Sequence, residues 1–184
     1  MNTGLIAVRY ATALLEFAKE ANLVETVYDE AKLLTLMFSK MGRLRHALEN
    51  PVISTAEKRK LLLNAIGGKA SKVYEKFTDL LLENNRESLV QNIMLKFIDL
   101  YRKEKNIRYG KLVTAYPVSQ KTEKSLIKLI TDKAGGTLEL EKVVNPDILG
   151  GFTLEVEGVR WDASVSGQLQ QIRNEFTERN SKIV

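Results

Sequence analysis

The stretch NPDILGGFTLEVEGVRWDASVSGQLQQI, residues 145–172, carries the densest turn and strand signals in the chain. It contains one of the three prolines and four of the eleven glycines. Pro146 restricts a backbone dihedral at a turn, and Gly150 and Gly151 permit a tight path into a strand. The segment FTLEV alternates apolar and polar residues, EG at 157–158 suits a two-residue hairpin loop, and VRW returns as the partner strand. The stretch therefore predicts a turn followed by a β-hairpin.

A closing helix is predicted directly after this hairpin. Asp162 is interpreted as its N-cap, because a short polar side chain can accept a hydrogen bond from a first-turn amide. Apolar residues then recur at the spacing of one helical face, namely Val165, Leu169, Ile172 and Phe176. These local signals explain how the stretch folds, but they do not explain what it does.

Helical periodicity dominates the chain before residue 105. Two long helices are predicted over 4–21 and 23–40, and a short third helix contains Leu44, Ala47 and Leu48. The proline that follows the third helix predicts its end, since the residue before a proline avoids the helical region.

Start and stop signals separate three further helices. Ser54 and Glu57 have the spacing of a capping box, and Gly67 with Gly68 predicts a left-handed helix end. A fifth helix is expected to end at Asn84-Asn85. The sixth helix has a wide apolar arc, so we expect it to run through the centre of a bundle; the arc consists of Leu89, Val90, Ile93, Met94, Phe97, Ile98 and Tyr101.

The pattern changes near residue 106. YGKLVTAYPV at 109–118 predicts a strand that ends at Pro117, a helix is predicted from Ser119 to Gly135-Gly136, and TLELEKVV at 137–144 predicts a second strand. The chain is therefore predicted to be mainly α. A six-helix bundle over 1–105 would be followed by a small α/β domain over 106–184.

The composition excludes several kinds of chemistry. The 184 residues include no cysteine and one histidine, His46, so disulfides, thiolate catalysis and a histidine-rich metal site are excluded. GGKAS at 67–71 lacks the spacing of a phosphate-binding loop and predicts a helix stop instead. Asp147 and Asp162 are interpreted as caps, since no nucleophile or base accompanies them. No catalytic, cofactor or metal site is predicted.

The net charge of +5 leaves the class of partner open. Basic residues are scattered among acidic ones along the chain. The densest runs, EKRK at 57–60 and YRKEKNIRYGK at 101–111, each lie beside a predicted helix end, which favours solvated helix ends over a nucleic-acid surface. No apolar run approaches the roughly 18 residues that span a bilayer. The N-terminus resembles neither a signal nor a transit peptide, so the chain is expected to stay in the compartment of its synthesis.

Residues 145–172 resemble the C-terminal signature of the delta subunit of the F-type ATP synthase, the OSCP/delta family. The matching positions are Pro146, Leu149, Gly150, Gly151, Asp162, Ser164, Gly167 and Leu169. RYATALLEFA at 9–18 resembles the first helix of that family, and LLENNRESLV at 81–90 resembles its junction between helices five and six. The resemblance therefore spans nearly the whole chain.

The chain departs from the family pattern at three positions. Ser166 and Gln168 stand where the family often has arginines, and Trp161 stands where it often has an aliphatic residue. These differences bear on the charged contacts of the last helix.

The resemblance implies a stator connector that performs no catalysis and holds no cofactor, nucleotide or small-molecule substrate. Its N-terminal bundle would bind the N-terminal segments of the α subunits, one of them as a helix in a groove between helices one and five. Its C-terminal domain, with the signature, would bind the b subunits of the peripheral stalk. The α3β3 head would then resist rotor torque during proton-driven ATP synthesis.

Seven residues are candidates for the groove, and each has core packing as its alternative role. They are Tyr10, Ala13, Leu14, Phe17, Val73, Phe77 and Leu80, with Tyr10 and Ala13 favoured as interface. The resemblance also implies a peripheral location on the cytoplasmic face of a bacterial cell membrane. The alternative function is a basic adaptor that binds nucleic acid or another protein without catalysis, and it would require a basic face interleaved with aromatic residues.

Overall fold

The computed structural model describes residues 3–117, 137–156 and 158–181. The chain divides into two compact units, Met1–Glu104 and Lys105–Val184. The described helices are α1 Thr3–Glu20, α2 Val24–Lys40, α3 Gly42–Glu49, α4 Thr55–Ala65, α5 Lys72–Glu83, α6 Val90–Glu104 and α7 Val165–Ser181. The strands are β1 Ile107–Thr114, β2 Thr137–Val144, β3 Gly151–Val156 and β4 Val159–Ser164. None of the described helices combines the length and apolarity needed to cross a membrane.

Helix α6 forms the centre of the first unit, as its wide apolar arc predicts. Ile93 and Phe97 are 0% exposed, and α6 packs against both α1 and α2. Tyr101 stacks on Tyr28 of α2 with ring centroids 4.2 Å apart. Burial of this arc on two sides anchors α1, the helix that forms one wall of the site described below.

The predicted start and stop signals in this unit are confirmed. Glu57 N–H donates to Ser54 Oγ at 3.3 Å and Ser54 N–H donates to Glu57 Oε2 at 3.0 Å, which completes the capping box of α4. Gly67 and Gly68 adopt positive φ angles of 90° and 77°. Gly68 N–H also donates to the Leu63 carbonyl, so these glycines close α4 and are not a phosphate loop.

The second unit contains a four-stranded mixed sheet in the order β2-β1-β3-β4. β1 pairs with β2 in parallel and with β3 antiparallel, while β3 and β4 form the predicted hairpin. Among the described residues of this unit, Leu112, Leu138, Leu154 and Val156 form a buried apolar cluster, against which Leu140 and Phe152 pack. Strand β1 begins two residues earlier than predicted and ends at Thr114, before Pro117. The helix predicted from Ser119 lies outside the described residues.

The prediction that Asp162 caps the closing helix is wrong. β4 continues through Asp162 to Ser164, because its pairing with β3 extends as far as Ser164 opposite Gly151. Ser164 Oγ accepts the Gly167 N–H at 3.0 Å and is therefore the cap of α7. Asp147 is not a cap either, since Asn145 Oδ1 accepts the Asp147 N–H at 3.0 Å ahead of a short 3₁₀ turn.

Candidate protein-binding surfaces

An open apolar cleft of about 600 Å³ lies between α1 and α5. Leu14 and Phe77, which are 1% and 4% exposed, form its floor. Phe17 and Leu80, at 36% and 45% exposed, stand at its rim. We call this surface the α1–α5 cleft; it is lined by Ile6, Arg9, Tyr10, Ala13, Leu14, Phe17, Lys76, Phe77, Leu80 and Arg86.

The cleft brings together six of the seven groove candidates, and the exception is Val73. Val73 is 2% exposed and does not line the cleft, because it faces the core of the helical unit. Ala13 is exposed, and its small side chain leaves the wall of the cleft shallow. Tyr10 and Phe77 meet edge to face with centroids 6.4 Å apart, so the aromatic rings join the two helices at the floor.

Four cleft residues are absent from the sequence prediction, namely Ile6, Arg9, Lys76 and Arg86. Ile6 lies one helical turn before Tyr10, so the i, i+4 rule could have found it. No role was predicted for the three cations. Lys76 Nζ lies 5.9 Å from the Phe17 ring centre and the Arg86 guanidinium lies 6.0 Å from the Tyr10 ring centre. Only the fold places these charges beside the aromatic rings.

The start of α5 is held by a buried carboxylate on α2. Ser71 caps α5 by accepting the Tyr74 N–H at 3.1 Å. Glu30, which is 6% exposed, accepts hydrogen bonds from both the backbone N–H and the hydroxyl of Ser71. Burial raises the pKa of Glu30 above its usual value, while the Ser71 hydrogen bonds oppose that rise. This contact fixes the position of the second wall of the cleft.

The signature residues of the second unit form the junction between the 3₁₀ turn, the hairpin and α7. Leu149 and Gly151 have positive φ angles of 65° and 71°. A Cβ on Gly151 would lie 2.1 Å from the Ala163 carbonyl oxygen, so only glycine fits there. The Gly150 carbonyl accepts the Val165 N–H at 3.1 Å and ties the turn to the start of α7. Pro146 begins the 3₁₀ turn.

Asp162 and Ser164 form a polar cluster under the first turn of α7. Asp162 Oδ1 accepts the Ser164 N–H at 3.0 Å and also accepts from the Ser164 hydroxyl. These Ser164 hydrogen bonds lower the pKa of Asp162. A Cβ on Gly167 would meet Asp162 Oδ1 at 2.9 Å and Ser164 Oγ at 3.0 Å, so the glycine makes room for the cluster. These signature residues therefore have structural roles.

The apolar face of α7 is exposed. Val165, Leu169, Ile172 and Phe176, here called the α7 stripe, are 42%, 53%, 50% and 64% exposed. Leu149 and Trp161 in the same unit are 59% and 50% exposed. Exposed apolar residues repeated along one helix face are typical of a protein-binding surface. Leu169 is the one signature residue that belongs to this stripe.

His46 is not part of a cluster of metal-ligating side chains among the described residues. It lies exposed in the last turn of α3, within the helical unit. Among the described residues, no group of three or more histidine, aspartate or glutamate side chains comes together as a metal-ion site.

A family model described as the ATP synthase delta (OSCP) subunit matches residues 6–176. The chain belongs to this family. It is 40% identical to the ATP synthase subunit delta of Phocaeicola vulgatus over 185 residues, which cover 100% of both chains. It is 37% identical to that of Bacteroides thetaiotaomicron, again over 100% of both chains. The family resemblance noted in the sequence is confirmed, and the alternative of a nucleic-acid-binding adaptor is not favoured.

The fold is also similar to that of one chain in a solved assembly. The match is to a chain of the Toxoplasma gondii mitochondrial ATP synthase hexamer, with a TM-score of 0.64 and 24% sequence identity. It covers 93% of this chain and 97% of that chain. At this identity the match supports the fold alone, which is mainly helical with a small mixed sheet.

Proposed function

We propose that this delta subunit is the non-catalytic stator connector of its ATP synthase. It would link the α3β3 head to the peripheral stalk, so that the head stays still while the rotor turns. The observation that carries the proposal is the α1–α5 cleft, an open trough whose floor and rims are apolar. Because the chain belongs to the delta family, the cleft would act within the ATP synthase complex.

The cleft is proposed to hold the N-terminal helix of one α subunit. An amphipathic helix binds a groove by placing apolar side chains at every third or fourth position into it. Leu14 and Phe77 supply a floor, and the exposed Phe17 and Leu80 supply apolar rims that a docked helix would cover. Ala13 lets the partner backbone approach closely. The helical unit would thus be the six-helix bundle of residues 1–105 that sits on the head.

The α7 stripe is proposed to bind the b subunits of the peripheral stalk. The stripe, Leu149 and Trp161 are exposed in one unit, and burial of an apolar side chain yields about 1.5–3 kcal/mol. Ser166 and Gln168 replace the arginines frequent in the family, so this contact depends on apolar burial more than on charge. The α/β domain over 106–184 would be the stalk-binding part.

In this arrangement the protein would be peripheral, on the cytoplasmic face of a bacterial cell membrane. Its partners would be the α and b subunits of the synthase, without nucleotide, metal or nucleic acid. Transmission of torque requires slow dissociation at both surfaces, which large apolar contacts provide.

Titration calorimetry tests the α-subunit contact. A peptide of the N-terminal segment of the α subunit from the same organism should bind with one-to-one stoichiometry and a negative heat-capacity change. Ala13→Asp should weaken that binding, because it places a charge in the apolar trough. Ala56→Asp is the control, since Ala56 is exposed on α4 away from the cleft. If the two folded variants bind the peptide equally well, the peptide does not occupy the α1–α5 cleft.

The stalk contact has its own pair of variants. Ile172→Asp places a charge in the α7 stripe, whereas Asn174→Asp places one on the opposite side of α7. A soluble C-terminal fragment of subunit b should bind Asn174→Asp like the wild type and Ile172→Asp more weakly. If Ile172→Asp binds the fragment as well as the wild type does, the stalk contact is elsewhere.

A further inference from the structure

The α1–α5 cleft carries an unbalanced charge. Three of the side chains that line it are basic, namely Arg9, Lys76 and Arg86, and none is acidic. No carboxylate of the described residues forms an ion pair with any of the three. Lys76 and Arg86 lie instead over the faces of Phe17 and Tyr10.

Several other cations of the same unit do form ion pairs. Lys58 contacts Glu87 at 2.6 Å, Lys19 contacts Glu104 at 2.6 Å, and Arg59 contacts Asp79 at 2.5 Å. Asp79 is informative because it lies three residues after Lys76 on α5, at a spacing that permits an ion pair. It pairs with Arg59 of α4 instead. The cleft cations are thus left available to an incoming partner.

The positions of Lys76 and Arg86 alongside α1 set a spacing that a bound helix would have to match. Arg86 lies beside Tyr10 and Lys76 lies beside Phe17, and Tyr10 and Phe17 are seven residues apart on α1. Seven residues of a helix span about 10 Å, or two turns. A second helix lying along α1 would meet the two cations with side chains that are also about two turns apart.

We propose that the occupant of the α1–α5 cleft is an acidic amphipathic helix, whose carboxylates two turns apart pair with Lys76 and Arg86. Arg9, next to Tyr10, adds a second cation at the Arg86 end. The inference rests on the proposed function, because it specifies the chemistry of the α-subunit segment that the cleft would hold. The apolar floor supplies most of the affinity, whereas the cations select an acidic helix over a neutral or basic one.

The size of the effect follows from the exposure of these cations. An exposed ion pair changes an equilibrium constant by about two- to five-fold, so removal of three should weaken binding about ten-fold or more. The effect should disappear at high salt, because the screening length falls from about 10 Å at 0.1 M to about 3 Å at 1 M. An apolar contact alone would not weaken with salt.

The test uses the full chain and two triple variants of equal charge. The cleft variant carries Arg9→Gln, Lys76→Gln and Arg86→Gln. The control variant carries Lys40→Gln, Arg43→Gln and Lys69→Gln, which are exposed and do not line the cleft. Each lowers the net charge from +5 by three, to +2. Circular dichroism verifies that both fold, and fluorescence anisotropy measures Kd for the labelled α-subunit N-terminal peptide.

A second peptide has its carboxylates replaced by amides. At about 0.1 M salt the cleft variant should bind the native peptide about ten-fold or more weakly, and the control variant within about two-fold of the wild type. The amide peptide should bind the wild type about as weakly as the native peptide binds the cleft variant, and should lose nothing further with the cleft variant. At about 1 M salt the differences should fall within about two-fold.

Two results would overturn the inference in distinguishable ways. If the native peptide binds the cleft and control variants equally, the cations do not select the occupant, but the groove and the connector role stand. If the folded wild type does not bind the native peptide at either salt concentration, the proposed function fails at this cleft and the inference fails with it.

Discussion

The two units of this delta subunit treat their apolar residues differently. In the helical unit the core-facing side chains of α6 are enclosed, with Ile93 and Phe97 at 0% exposed. Among the described residues of the second unit, the buried apolar cluster on the sheet contains four side chains. There the four apolar residues of the α7 stripe remain between 42% and 64% exposed.

The difference shows that one chain can combine an enclosed helical core with a helix whose apolar face is half exposed. The helical unit has an enclosed core and the apolar α1–α5 cleft, which suits a partner that docks as a single helix. The second unit leaves the whole apolar face of a helix uncovered. Its α7 is held at the first turn by Ser164 and by the bond from Val165 N–H to the Gly150 carbonyl. Its remaining apolar surface is expected to be buried only on assembly.

The comparison is most strongly tested by the same substitution in both units. Phe97→Ala should cost about 3–5 kcal/mol of unfolding free energy, because it leaves a cavity at a fully enclosed position. Phe176→Ala should change it by less than about 0.5 kcal/mol, since Phe176 is 64% exposed. Denaturant unfolding followed by far-ultraviolet circular dichroism measures both. A large loss with Phe176→Ala would mean that the α7 stripe is already covered in the free protein.

A glycine pair tests the junction that holds α7. Gly151→Ala should destabilise the second unit by about 2–3 kcal/mol, because a left-handed backbone is combined with a collision at the Ala163 carbonyl. Gly158→Ala, at φ 82° with open space around it, should cost about 1 kcal/mol from the backbone alone. The fluorescence of Trp161, the one tryptophan of the chain, reports this unit. Equal losses of stability in the two variants would contradict the close approach of Gly151 to the Ala163 carbonyl.

The cap of α7 gives a smaller effect. Ser164→Ala should cost about 1 kcal/mol, because it removes the acceptor of the Gly167 N–H. Ser166→Ala, two residues later, should cost less, because the Ser166 hydroxyl contacts only the Ser164 hydroxyl, at 3.2 Å, and accepts no backbone N–H among the described hydrogen bonds. Trp161 fluorescence during urea unfolding compares the two. If Ser166→Ala costs more than Ser164→Ala, the cap assignment is wrong.

The smallest expected effect is a pH dependence of the helical unit. Burial raises the pKa of Glu30 above 4.5, so the folded state holds the proton more tightly than the unfolded state does. The stability from this group is complete below pH 4.5 and is lost as the pH rises through the folded-state pKa. Relative to Glu30→Gln, the wild type should therefore lose thermal stability as the pH rises through that window.

Ser71→Ala sharpens this prediction. It removes the hydroxyl that donates to the Glu30 carboxylate, so the pKa of Glu30 should rise further and the window should move to higher pH. Carboxyl-carbon NMR titration of Glu30 measures the pKa directly. If the wild type instead gains stability relative to Glu30→Gln as the pH rises, folding does not raise the pKa of Glu30 and this prediction is wrong.

The helices, the hairpin and the stops were predictable because their signals are local. The capping box of Ser54 and Glu57 and the stop at Gly67-Gly68 each involve a few consecutive residues. The error at Asp162 has a local origin as well. Asp162 and Ser164 are both good caps, and only the pairing of β4 with β3, which continues to Ser164, decides between them.

The candidate site was predicted less completely. Periodicity and the family resemblance identified α1 and α5 as the walls, but they could not separate Val73 in the core from Phe77 in the cleft. The cations Lys76 and Arg86 gave no signal in the sequence, because a charge on an exposed helix face is ordinary. Glu30 was also missed, since its partner Ser71 lies 41 residues further along the chain.

The sequence by itself determined the order of the elements, most helix ends, the hairpin and the family. Tertiary structure alone decided which apolar faces are covered and which charges lie beside them. A helical period defines an apolar stripe, yet it does not say what packs against that stripe. Leu14 and Phe17 lie on the same side of α1, but one is buried at the cleft floor and the other stands at its rim, because burial depends on neighbours distant in sequence.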